Sequence, residues 1–160
     1  MKTDDPVLLP PEVLFSAMEE LLKQGYDAEF TVVGNSMWPL LKNGRDTVIL
    51  RTLDSPLKKG DLVLFSPVKG RYLLHRVTRL GGDFFESTGD ANFSSDGEFP
   101  VGCILGRVIV IHRKGKRISC KSLPYRLFVW VWMSLFPLRR PLLRLLRKCA
   151  RGLALKKNAK

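Results

Sequence analysis

The spacing of apolar positions divides the chain into three stretches of different period. In "EVLFSAMEELLKQGYDAEF", residues 12–30, the side chains of Val13, Leu14, Met18, Leu21 and Leu22 recur at helical spacing, with Pro10 and Pro11 before them and Gly25 just past the last. Residues three and four apart share one helix face, proline suits a helix start and glycine a helix end. This stretch therefore predicts one short amphipathic helix packed on the body. From residue 30 the period shortens. "FTVV", "DTVILR", "DLVLFSPV", "RYLLHRVTRL", "DFFEST" and "CILGRVIVIHRK" are short β-rich runs, separated by the turn-formers "KNG", "KKG", "KG", "GG" and "GDANFSSDGEFP". Several short strands with glycine-rich turns predict a mainly β domain, an antiparallel barrel or folded sheet.

Beyond about residue 122 the character changes again. "LFVWVWMSLFPL", Leu127 to Leu138, is 12 uncharged residues bracketed by Arg126 and by Arg139 and Arg140. A helix of that length rises ~18 Å against a hydrocarbon core of ~30 Å, so it should not span a bilayer unaided. After Pro141, the side chains of Leu142, Leu145, Leu146, Cys149 and Leu153 fall on one helical face, with Arg144, Arg147, Lys148 and Arg151 largely on the other. Tryptophans at 130 and 132 ahead of such a helix suit a segment lying in a membrane interface, aromatics at headgroup level and cations for anionic lipid. The expected organisation is a helical segment (1–29), a catalytic-type β domain (30–121) and a basic amphipathic tail that meets a membrane surface (122–160).

The charge distribution supports that division. All 15 acidic residues precede residue 99, where 11 Lys or Arg accompany them, for a net −4; the 16 Lys or Arg from Arg107 onward face no acid. A near-neutral body with a strongly basic tail points to an anionic surface. The basic residues are interleaved with long aliphatics, which favours lipid over nucleic acid, and no nucleic-acid partner is expected. Cys103, Cys120 and Cys149 are far apart with no CxxC spacing, so neither a zinc site nor a disulfide framework is suggested, and no metal or cofactor is expected. "MKTDDPVLLPPEVL" puts acids and prolines where a signal peptide needs a basic start and a long apolar core. The expected location is the cytoplasmic face of the cell membrane, held there by the tail.

Candidate chemistry centres on Ser36 in "VVGNSMWPLL". A serine hydroxyl attacks a carbonyl only if a neighbouring base takes its proton and donors stabilise the oxyanion. Of the two histidines, His112 lies near a strand end beside a basic turn with no acid close in sequence, and reads as a surface residue. His75, within "YLLHRVTRL", projects from a strand on the same face as Leu73 and Val77. Asp90 and Asp96 share one Gly-bounded loop, "TGDANFSSDGEFP", an element suited to carrying site residues and equally to a turn in which Asp and Asn bond their own backbone.

Four stretches in one order, "GNSMWPLLKNG", "KKGDLVLF", "LLHRV" and "TGDANFSSD" followed by "PVGCILGRV", resemble the successive boxes of type I signal peptidases, over roughly residues 30 to 112. With His75 in the third box, the chain is similar to the form with a histidine base, found in the endoplasmic reticulum and in archaea. The resemblance implies a twisted, partly closed antiparallel β fold. It also implies a serine endopeptidase with Ser36 as nucleophile, His75 as base and the aspartate pair of the GD box at Asp90 and Asp96, with Asp96 the partner of His75. The Ser36 amide and the Asn35 side chain would hold the oxyanion, with Gly34, Met37 and Trp38 beside the substrate. That substrate would be an extended peptide or protein segment with small residues before the cut, such as a leader or signal segment. Gly34 and Asn35 replace the family's Ser or Thr then Gly, as in the self-cleaving SOS repressor peptidases of the same superfamily; Arg45 is inserted in "NGRD"; and no stretch at the front reads as the family's membrane anchor. Two alternatives stand beside this reading. One is a peptide-binding module with weak or lost chemistry, docked on a membrane or transporter. The other is a self-cleaving regulator, disfavoured by the absence of an Ala-Gly or Cys-Gly bond upstream of Ser36.

Overall fold

A computed structural model describes residues 10–139, 141–146, 148 and 149. The expectations for Arg140, Arg147, Arg151 and Leu153, and for residues 1–9, fall outside the described residues. The first helix, α1 (Pro11–Lys23), starts with proline at its first position, where a missing N–H costs nothing. Its end is closed by Gly25 at φ +85°, whose N–H donates to the Leu22 carbonyl while that of Tyr26 donates to Leu21. This pair of bonds satisfies carbonyls that the helix would otherwise leave open. The buried stripe of α1 is narrower than its periodicity suggests: Met18 and Leu22 are buried, Leu14 and Phe15 partly so, while Val13 and Leu21 face outward.

Eight strands follow: β1 (Ala28–Thr31), β2 (Thr47–Arg51), β3 (Leu62–Val68), β4 (Arg71–Gly81), β5 (Phe84–Thr88), β6 (Gly97–Pro100), β7 (Ile104–Arg113) and β8 (Lys116–Ser119). They form one sheet in the order β1-β2-β7-β3-β4-β5-β6, with β8 also on β7 and every pair antiparallel. The mainly antiparallel β architecture, flanked by a short N-terminal helix and C-terminal helices, is the expected one; the sheet stays open, since its outer strands β1 and β6 do not pair. Two short strands are absent from the apolar pattern. β6 holds a glycine and a proline in four residues, and β8, "KRIS", is polar and pairs only with β7 through the two-residue turn at Lys114 and Gly115, both at positive φ.

β3 is buried on both faces and explains the core. Leu62 and Leu64 point to a larger cluster with Met18, Leu22, Met37, Leu41, Val48, Leu50 and Val108, while Val63 and Phe65 join Val77 and Phe85 in a smaller one. A strand covered on both sides reads as a continuous apolar run, as "DLVLF" does. After β8 comes α2 (Leu123–Ser134), which buries Tyr125 and Trp132 and lays Phe128 and Val129 on the larger cluster. A 3-10 turn (Phe136–Leu138) leads to Arg139, which is buried with its guanidinium over the rings of Trp132 and Phe136.

Candidate active site

Ser36 lies in the excursion between β1 and β2, and the base of that excursion is tied shut. Val32 donates to the Asp46 carbonyl at 2.9 Å, Gly44 donates back to Val32 at 2.9 Å, and Gly34 donates to Asn43 Oδ1 at 3.0 Å. The fully buried Asp46 carboxylate accepts the Lys42 N–H at 2.9 Å and both Nε and Nη2 of Arg45 at 2.6 Å. Arg45 is thus a clamp on the turn that closes the serine loop. Burial would push the Asp46 carboxyl up, but the Arg45 bonds and the Lys42 amide hold it below the usual carboxylate range. Gly34 stands at φ +92°, a conformation that a side chain would strain, which accounts for the glycine two residues ahead of Ser36.

Within the loop the expected residues separate. Ser36 is half-buried and Asn35 exposed, its carbonyl accepting the Trp38 N–H at 3.1 Å. Met37 packs in the larger core at 2 % exposure, drawn inward between α1 and the sheet, rather than walling a groove; Trp38 is half-buried. Among the described residues neither the Ser36 N–H nor its hydroxyl donates a hydrogen bond.

The loop after β5 is pressed against this serine. Ala91 donates to the Ser36 carbonyl at 2.7 Å, and a Cβ on Gly89 would lie 2.8 Å from that same oxygen and 2.8 Å from the Asn92 amide nitrogen. Only glycine permits this approach. The same loop returns through Asp96 to β5, where the Asp96 N–H donates to the Ser87 carbonyl at 2.9 Å.

His75, on β4 and 5 % exposed, meets Asp96 there: Nδ1 lies 2.6 Å from Asp96 Oδ2, which also accepts the Ser87 hydroxyl at 2.8 Å. A carboxylate only accepts, so Nδ1 donates, and in the neutral ring Nε2 is left as the proton acceptor. No hydrogen bond joins His75 to Ser36 among the described residues.

Asp90 is engaged elsewhere. Arg76, next to His75 but on the opposite face of β4, places Nε 2.8 Å and Nη2 2.7 Å from the two Asp90 oxygens; its Nη1 donates to the Gly60 carbonyl at 2.9 Å and stands 3.5 Å from the Tyr125 hydroxyl. Both side chains are fully buried. Burial works against the Arg76 charge, but Asp90 and Tyr125 outweigh it and hold the guanidinium pKa above its ordinary value; burial pushes the Tyr125 phenol up as well. Asp90 therefore pins the loop rather than the imidazole. His112 sits apart, its Nδ1 3.0 Å from Glu29 Oε1, an acid brought close by the β1-β2-β7 pairing and distant in sequence.

Three participants lacked a sequence signal. Ser87, which steadies Asp96, is reachable only by pairing β4 with β5 across the "GG" turn, which sets Val77 against Ser87. Tyr125 reaches Arg76 across 49 residues. Thr88 buries a hydroxyl that has no partner among the described residues, immediately before the loop that touches Ser36. No family model matches the chain, and no curated protein matches it significantly.

Proposed function

We propose that the protein is a serine endopeptidase of signal-peptidase type, which cuts a leader or signal segment from a peptide or protein substrate. The observation that carries this reading is the His75–Asp96 pair, backed by Ser87, at 2.6 and 2.8 Å. Few structural needs call for a buried histidine whose free nitrogen is a base and whose other nitrogen is locked to a carboxylate; general-base catalysis needs both. In the proposed mechanism, Ser36 Oγ attacks the scissile carbonyl and His75 Nε2 takes its proton. Asp96 fixes the ring tautomer and stabilises the imidazolium. The proton then passes to the departing amine, and water repeats the cycle on the acyl-enzyme. The undonated Ser36 N–H supplies an oxyanion contact; losing one such donor costs on the order of 100-fold in rate. Arg76 and Asp90 act at one remove, by holding the loop whose Ala91 N–H fixes the Ser36 carbonyl.

The test is cleavage of a mixed library of peptides with Ala-x-Ala sites by the purified protein in mild detergent, read by mass spectrometry beside Ser36→Ala. New termini made by the wild type and absent from the variant are expected; identical spectra would overturn the reading. One observation favours a second reading, a peptide-binding module without turnover: Ser36 and His75 are not hydrogen-bonded. That reading requires wild type and Ser36→Ala to bind the same peptides equally and cut none.

A further inference from the structure

α2 is apolar on two opposite sides, and only one of them is covered. Tyr125, Phe128, Val129 and Trp132 fall on the inner side, where Tyr125 reaches Arg76 and Val129 packs over Gly60 so closely that a Cβ there would lie 2.7 Å from Val129 Cγ1. Leu123, Leu127, Trp130 and Val131 recur four, three and one residues apart on the outer side, and all are exposed, Leu123 at 78 % and Trp130 at 67 %; Leu138 extends the stripe. A helix apolar all round belongs in a core or a membrane, and one on a water-facing surface would carry polar residues on its outer side. Here the outer side carries leucine and tryptophan, and the exposed charges within α2 and just ahead of it, Arg126 and Lys121, are cationic.

We propose that the outer face of α2 docks on the surface of an anionic bilayer, with the helix in the membrane plane. The charge pattern selects this occupant. No acid follows Glu98 in the sequence, so a second copy packing face to face through α2 would set Arg126 and Lys121 against like charges, whereas phosphate headgroups complement them and the acyl boundary takes the leucines and Trp130. The inner side selects the orientation. A spanning α2 would have to strip Tyr125 and Trp132 out of the protein, and no helix of the described residues is long and apolar enough to cross a membrane. Docked this way, the helix lies on the Arg76 side of β4 and leaves the His75 side uncovered by it.

The test uses the full chain and two kinds of vesicle, phosphatidylcholine alone and phosphatidylcholine with phosphatidylglycerol, in a cosedimentation assay at low and high salt. The wild type should bind the anionic vesicles at least tenfold more tightly than the neutral ones and lose most of that preference in high salt. Leu127→Glu combined with Trp130→Glu, substitutions on an exposed face that should leave circular dichroism unchanged, should bind at least tenfold more weakly. In a Cys103→Ser, Cys149→Ser background, the half-buried Cys120, which lies against Tyr125, should be alkylated no faster on vesicles than in solution. Absence of vesicle binding, undiminished binding by the double variant, labelling of Cys120 that vesicles accelerate, or a dimer that the double variant abolishes would each overturn the proposal. None of these readouts depends on peptidase activity.

Discussion

Replacing Asp90 by asparagine isolates the buried ion pair from the proposed catalytic set. The carboxylate takes two short bonds from Arg76, at 2.8 and 2.7 Å, and neither side chain is exposed. Asparagine keeps the shape and one accepting oxygen but removes the charge, sets an NH2 donor against the guanidinium, and leaves Arg76 in the interior with only neutral acceptors, the Gly60 carbonyl and the Tyr125 hydroxyl among them. Breaking a buried pair in this way costs about 3–5 kcal/mol, because the surviving charge is uncompensated. For a chain of this size, each kcal/mol lowers Tm by ~2–4 °C, so a fall on the order of 10 °C is expected. Urea unfolding followed by circular dichroism measures the free energy directly. The double variant Arg76→Met, Asp90→Asn should recover part of the loss, since it removes the stranded charge. Asp90→Asn within 1 kcal/mol of wild type, or a double variant no better than the sum of the singles, would refute the assignment of Asp90 to the scaffold.

Asp96→Asn should do the reverse. It removes the acceptor of His75 Nδ1 at a partly exposed position, so peptide cleavage should fall at least 100-fold in kcat/KM while urea stability changes by less than ~2 kcal/mol. Gly89→Ala drives a methyl into the Ser36 carbonyl 2.8 Å away and should cost ~1–3 kcal/mol in urea unfolding and lower cleavage, whereas Gly102→Ala, which meets nothing within 4 Å, should leave cleavage unchanged. The Asp46 carboxyl is held below its usual range. Its stabilising effect is therefore complete above the unfolded value, about pH 4, and is lost as pH falls through the lower folded value. Asp46→Asn should cost about 1–3 kcal/mol at pH 7 and flatten the loss of stability below about pH 4, measured by urea midpoints across pH.

How far the sequence could be read depended on where the information lies. α1 and the six apolar strands follow from spacing alone, because a buried face imposes a period on the residues that fill it. β6 and β8 carry no such period: each is four residues long and gains its place from a neighbour's free edge. The two-residue turn at Lys114 and Gly115 was the one local hint of β8, since a glycine at positive φ suits a tight hairpin. At the site, Ser36, His75 and Asp96 were legible as residue types in one order, and the 2.6 Å contact between the last two required the chain reversal after β5. Residue type alone did not tell the two aspartates of one loop apart, and only the resemblance pointed to Asp96 as the partner of His75. The alternation of β4 separates them, because Arg76 draws Asp90 to one face and His75 draws Asp96 to the other.

That alternation is the central physical feature of the molecule. Consecutive residues of a strand point to opposite faces, so a His-Arg dipeptide on β4 sends an imidazole one way and a permanent cation the other. The two are 3.8 Å apart along the backbone by the geometry of a trans peptide, yet the sheet stands between their side chains. Had both side chains shared a face, the guanidinium would compete with His75 for Asp96 and disfavour the imidazolium that base catalysis must form. On its own face, Arg76 instead binds Asp90, the Gly60 carbonyl and Tyr125 of α2, so one buried cation joins the serine loop's support, the β4 strand and the C-terminal helix. The proposed docking helix, which reaches β4 through Tyr125 and Arg76, and the proposed base His75 thus lie on opposite faces of one strand. A perturbation of α2's inner face should reach the site through Arg76, and one of its outer face should not.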